Sequence, residues 1–208
     1  MRRVLAVVSA GLAGVTMVAC GGSKSDDRAT ATTVEKTTTT IAVSSEAIAL
    51  EARLLKNIPS GYEQEDDRVG DTGPSDFAKA VRDDGSDNAE ELLTKEGFVA
   101  GYQRLWTRGP DDSIVDFVYQ FKTAAGAQAT VQRMVTAAAQ GDETNTVTEF
   151  TVTGVPGARG FAAHSSEGDA VIVAFARGVY ALQIVVNGAD ANATVANSLA
   201  AQQYQLAA

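Results

Sequence analysis

The stretch Gly97–Phe121, "GFVAGYQRLWTRGPDDSIVDFVYQF", decides the architecture. Before the turn "TRGPDD", Phe98, Ala100, Tyr102, Arg104 and Trp106 alternate with their neighbours. After it, Val115, Phe117, Tyr119 and Phe121 do the same. A period of two is that of a pleated strand, whose successive side chains point to opposite faces. Each set is therefore expected on one side of its strand. The Gly109-Pro110 turn between them predicts that the two strands pair as a hairpin.

The period changes on both sides of this hairpin. Thr123–Gln140 places Ala127, Val131, Met134, Val135 and Ala138 at helical spacing, which predicts an amphipathic helix. Upstream, "SSEAIALEARLLKN" reads as a short helix with Ser45 as its N-cap and Asn57 and Pro59 as stops. Pro74–Arg82 reads as a second helix. A third starts at a capping box of Asp87 and Glu90 and ends at Gly97. Downstream, "EFTVTG" and "ARGFAAH" read as short strands, and "DAVIVAFARGVYALQIVV" as two apolar strands meeting at Arg177-Gly178. Ala191–Leu206 closes the chain as a helix capped by Asp190.

The order hairpin then helix thus occurs twice, though the two halves are too dissimilar in sequence to show duplication. The expected class is α+β: an antiparallel sheet with helices packed on one face. Residues 45–208 have the composition of a single globular domain, long enough for one core to suffice. It is expected to be a monomer.

Charge excludes one partner class. The 208-residue chain carries a net charge of -9. Residues 46–100 hold 14 acidic against 6 basic side chains. Such a balance argues against nucleic acid, and against adhesion of the domain to anionic lipid by its own surface.

Signatures of chemistry are sparse, and no catalytic residue, metal ligand set or cofactor is assigned. His164 in "FAAHSSEGD" stands beside Ser165, Glu167 and Asp169, but residues this close along the chain seldom converge as nucleophile, base and orienter. A solvated turn histidine is the expectation. In "GVPGARG" the glycines have the wrong spacing for a dinucleotide fingerprint and precede a strand, so the segment reads as a turn. The acidic segment 62–91 offers oxygens of the kind a hard cation needs, yet lacks the order of an EF-hand loop, and capping already accounts for Asp87 and Glu90. The aromatic and basic residues of the first hairpin give the candidate binding face: Trp106 at a strand end, with Arg104, Arg108 and Tyr102. Together they would grip an anionic or sugar-like ligand by stacking and charge. The competing expectation is that Trp106 fills the core.

The N-terminus gives an address. Met1-Arg2-Arg3 followed by the uncharged run Val4–Val18 has the layout of a secretory signal over residues 1–19, too short to span a membrane. It stops at "MVACGG", where Cys20 is the chain's one cysteine, so no intrachain disulfide can form. Residues 20–44 include the Thr-rich "ATATTVEKTTTT", with few large apolar groups, and read as a flexible tether.

Met17-Val18-Ala19-Cys20 resembles the lipobox of bacterial lipoproteins, in which a small residue precedes a cysteine that takes a diacylglycerol thioether and becomes the new N-terminus. Met17 departs from the usual leucine but keeps a bulky apolar side chain. The resemblance implies lipidation at Cys20 and attachment to the outer, extracytoplasmic face of the cell membrane. With the tether, the Ala/Gly/Val/Asp-rich composition and the few lysines, the chain resembles the cell-envelope lipoproteins of actinobacteria. Some of these have folds compared to the Mog1/PsbP group. The expected function is a non-catalytic module binding a small ligand or an envelope protein. Alternatives are an accessory subunit of an envelope complex and a carboxylate-based envelope hydrolase.

Overall fold

Strands β3 (Phe98–Arg108) and β4 (Asp112–Phe121) form the expected hairpin, in register from Ala100↔Gln120 to Arg108↔Asp112. In this computed structural model the described residues are 44–69, 72–141 and 145–208. Cys20, the signal, the tether and Asp71 lie outside them.

Around the hairpin, the elements in chain order begin with α1 (Ser45–Leu50), a 3-10 turn at Glu51–Arg53, β1 (Glu63–Gln64) and β2 (Gly73–Ser75). Helices α2 (Phe77–Asp84) and α3 (Ala89–Glu96) then lead into β3. After β4 come α4 (Ala124–Gln140), β5 (Thr146–Thr151), β6 (Arg159–Ser165), β7 (Gly168–Arg177), β8 (Tyr180–Asn187) and α5 (Ala193–Leu206). The eight strands make one antiparallel sheet in the order β1-β3-β4-β8-β7-β6-β5, with β2 also on β3. The α+β class is as expected from the changes of period.

The helices lie on both faces of the sheet, not on one. Ala47, Leu50, Leu54 and Leu55 of the α1 region and Ala196, Leu199 and Ala200 of α5 pack with Tyr102, Trp106, Ile114, Val118, Phe175 and Leu182. On the other face, Ala80 of α2, Leu93 of α3 and Ala127, Val131 and Val135 of α4 pack with Leu105, Val115, Phe117, Phe121, Phe161 and Ile172. The cause is legible in β4, β7 and β8, which bury nearly every residue in their centres. A strand apolar on both parities has to be covered on both sides. The hairpin-helix order does occur twice, but α4 and α5 both close on β7 and β8, from opposite faces. The halves are therefore not equivalent units.

Parity along β3 also departs from expectation at one residue. Ala100, Tyr102, Arg104 and Trp106 face α1 and α5, whereas Phe98 joins the opposite core. A register shift between Phe98 and Ala100 inserts one residue, and a one-residue slip exchanges faces.

Caps fix the helix starts, each near the expected residue. Ser44 Oγ accepts from Ala47 N–H where Ser45 was the expectation. Asn192 Oδ1 takes the N–H groups of Thr194 and Val195 where Asp190 was expected. The Asp87–Glu90 box is not formed: the N-cap of α3 is Asn88, with no side-chain cap bond. Thr123 Oγ1 accepts from Gly126 N–H at 3.1 Å and starts α4. Gly126 lets α4 press against α3, since a Cβ there would lie 1.9 Å from the Glu96 carbonyl oxygen.

The strands give the domain two unlike ends. At one, the β3–β4 and β6–β7 turns meet the C-terminus of β8. At the other, the β7–β8 turn lies beside the α3–β3 and β4–α4 junctions, stitched by Phe121 N–H to Val179 O and Lys122 N–H to Gly97 O.

Candidate functional site

The four residues singled out on β3 do form a row on one face, but it is a structural row. Trp106, 6 % exposed, is in the core between the sheet and α1 and α5, paired in register with Gln64 of β1 and Ile114 of β4. The covering by α1 and β1 removes the open strand end that stacking on a ligand requires. Tyr102 is buried too, and its hydroxyl donates to Asp67 at 2.6 Å. Arg104, 8 % exposed, donates to both oxygens of Asp67 and, at 2.8 Å, to Glu51. Burial works against the Arg104 charge, but Asp67 and Glu51 outweigh it and hold its pKa above the ordinary range. Arg104 in turn keeps the Asp67 carboxyl below its usual value. Arg108 reaches Asp112 and Asp190 and stacks on the Tyr62 ring at 4.6 Å.

A buried carboxylate that sequence reading passed over lies beside this row. Asp116 of β4, opposite Arg104 in register, is wholly buried. It accepts from Leu55 N–H at 2.7 Å and from the Gln203 side-chain amide of α5. Burial pushes its pKa up to about 7, although both donors and Arg104 favour the charged form. Gln203 Oε1 is buried without a partner. A protonated Asp116 can donate to that oxygen once the amide turns over, so the site has a bonding arrangement for each protonation state.

A cleft of about 650 Å³ opens where the β3–β4 and β6–β7 turns meet the end of β8. Thr107, Asp111 and Ser113 come from the first hairpin, Ser166, Glu167 and Asp169 from the β6–β7 turn, and Asn187 and Gly188 from the end of β8. Asp112 braces the wall: one oxygen accepts from Ala189 N–H at 2.8 Å, the other from Arg108. Those donors hold its carboxyl below the ordinary range, the Ala189 N–H most strongly. Gly188 is needed at φ 86°, and a Cβ there would strike the Asp112 carboxylate. Asn187 donates to Ser113 at 2.9 Å and ties β8 to β4.

His164 is exposed as expected, but it is in strand β6 and not in a turn, 2.9 Å from Asp169 of the cleft. Ser165 Oγ spends its bonds on the turn, donating to Gly168 O and accepting from Glu167 N–H. Neither geometry presents an activated hydroxyl. Four acids of segment 62–91 are taken by cations of the fold: Asp66 by Arg68, Asp67 by Arg104, Asp83 by Lys79 and Asp84 by Arg133. Among the described residues no group of His, Cys, Asp and Glu is arranged to hold a metal ion. Nor is any of their helices long and apolar enough to cross a membrane.

An α+β domain with an eight-stranded antiparallel sheet between two helical layers, and an acid-lined cleft at one end, is the class that fold and site define. The chain belongs to the family described as domain of unknown function DUF7373, N-terminal, which it matches over residues 44–208. The fold is similar to that of the extracellular domain of PknH from Mycobacterium tuberculosis. The TM-score is 0.50 at 15% identity, over 77% of this chain and 95% of that one. No curated protein matches the chain.

Proposed function

We propose that the chain is an extracytoplasmic lipoprotein, anchored through Cys20, whose domain is a non-catalytic binding module with the turn-end cleft as its site. The cleft carries this reading. Three segments distant in sequence converge there, and Asp111, Glu167 and Asp169 line it together with Thr107, Ser113 and Ser166. Such a lining suits a polar ligand presenting amine and hydroxyl groups. The row Tyr102, Arg104, Trp106 supports the cleft from behind and does not contact the ligand. The turn-building bonds of Ser165 favour binding over catalysis. The layout of residues 1–19 and the lipobox-like Met17–Cys20 support export and anchoring, and two or more acyl chains hold a protein stably on a bilayer.

Photo-crosslinking on living cells tests the site. A photoreactive residue at Ser166, on the cleft, is expected to give an adduct that the same residue at Val179, at the far end of the sheet, does not give. Identical adducts from both positions, or none from 166, overturn the assignment. Intact mass of the membrane-extracted protein tests the anchor: an acylated N-terminus at Cys20 is expected, and an unmodified start at another residue removes it.

A further inference from the structure

We propose that the end of the sheet opposite the cleft is a docking surface for anionic lipid headgroups, which turns the cleft away from the bilayer. The orientation rests on the Cys20 anchor; the surface itself does not.

Bases collect at this end while acids collect at the other. Lys95 is in the last turn of α3, and Lys122 follows β4 at the stitched junction with the β7–β8 turn. Arg177 flanks that turn, paired in register with Tyr180. Arg53 reaches the C-terminus of α5, donating to Leu206 O at 3.2 Å and Ala208 O at 3.1 Å. Arg177 lies 4.0 Å from the Tyr204 ring centroid and Arg53 4.2 Å from that of Tyr180. The two guanidiniums are thus laid on amphipathic rings suited to a headgroup layer.

Five other arginines are neutralised locally. Arg68, Arg104, Arg108, Arg133 and Arg159 each pair with a carboxylate. Among the described residues Lys95, Lys122 and Arg177 form no ion pair, whereas Arg53 meets the terminal carboxylate of Ala208; Arg177 Nη1 is buried without a hydrogen-bond partner. Glu96, beside Lys95, is buried and taken by Arg133 and Thr130, while the Ala208 carboxylate at this end is held by Arg53.

A net charge of -9 does not oppose this contact. The 11 residues of β3 separate the two ends by about 35 Å, whereas charge is screened within about 8 Å at physiological salt. A bilayer touching one end therefore does not sense the acids of the other. A tether of 24 residues, reaching about 25 Å, leaves room for the contact.

The described residues form one sheet with its own two cores, so the chain from Gly21 onward keeps the whole fold. This unlipidated chain is expected to sediment with vesicles of phosphatidylglycerol and phosphatidylcholine, and far less with phosphatidylcholine alone, at about 0.15 M salt. Each base removed should weaken the partition about fivefold. Arg177→Gln tests one stacked cation, and the double variant Lys95→Gln, Lys122→Gln tests exposed side chains whose loss leaves the fold intact by circular dichroism. Asp111→Asn with Glu167→Gln, at the cleft end, should shift the partition less than about twofold. Equal sedimentation with both vesicles, or no loss in the lysine variant, overturns the surface. So does a gain from the cleft-end variant as large as the lysine loss, because the domain would then be sensing net charge. If the chain from Gly21 binds as expected but intact mass shows no acylated Cys20, the anchor fails and the surface stands.

Discussion

The two faces of the sheet are built on different rules. The face under α2, α3 and α4 has no ion on its strands, only the buried amide of Gln183, and its ions, Glu96 with Arg133 and Asp84, and Lys79 with Asp83, lie on the helices above the strands. The face under α1 and α5 carries ions on the strands themselves, with Arg104 and Asp116 side by side on β3 and β4. One layer is held by packing with a polar seam above it. The other uses two charged strand residues to fix where the α1 segment and α5 sit, through Glu51, Leu55 N–H and Gln203. Apolar contact alone is non-directional, so this second layer gains register from bonds that have direction.

The comparison breaks first on size. Trp106→Ala, on the ion-bearing face, and Phe161→Ala, on the apolar face, should each cost about 3–5 kcal/mol in urea unfolding, because both side chains are core. A Trp106→Ala protein of unchanged stability would show that the ring is not core and would return it to the binding candidates.

Next in size is the pH dependence of Asp116. Its carboxyl titrates at about 7 in the fold against the ordinary 3.8, so the folded chain holds the proton more tightly than the unfolded one. The stabilisation is complete below about pH 4 and is lost as pH rises through about 7, amounting to about 4 kcal/mol. Asp116→Asn should abolish that slope in chemical denaturation at a series of pH values, and Asp84→Asn, on the other face, should leave it in place. Asp67 acts in the opposite sense: its lowered pKa adds stability that disappears only as pH falls below the ordinary carboxylate range.

The smallest effect compares one cap from each layer. Thr123→Ala at the start of α4 and Asn192→Ala at the start of α5 should each cost about 1 kcal/mol in thermal unfolding. Equal losses would show that the layers differ in their cores and not in how their helices begin.

What could be read from the sequence was local. The periods of β3, β4, α4 and α5 depend on neighbouring residues, and these elements are where they were expected. Phe98 escaped because a single extra residue at Val99 reverses parity without altering composition. The second helical layer was visible in "VIVAF", which is apolar at every position and therefore at both parities, a signal that the expectation of a one-faced sheet did not use. The cleft was not legible, because it needs β4 beside β8, and 58 residues lie between those strands. Each contributing turn reads alone as an ordinary acidic loop. Asp116 was hidden for a similar reason: one acid in an alternating strand signals exposure until two covering elements are known to meet over it.

The clamp between Leu55 N–H and Asp116 has a mechanical meaning. Any pull arriving through the chain before Ser44 loads α1 first, and Ala47 and Leu50 transmit it to β3 over a small apolar contact. After the bonds of Glu51 to Arg104 and of Arg53 to the end of α5 comes the one at Asp116, ahead of every strand ladder in the sheet. Force would thus peel α1 and its 3-10 turn as a unit and stop at that carboxylate, sparing the β3–β4 and β4–β8 ladders. Because a charged acceptor holds the Leu55 amide more strongly than a neutral one, the force needed to pass that point should rise with pH across neutrality, even as equilibrium stability declines.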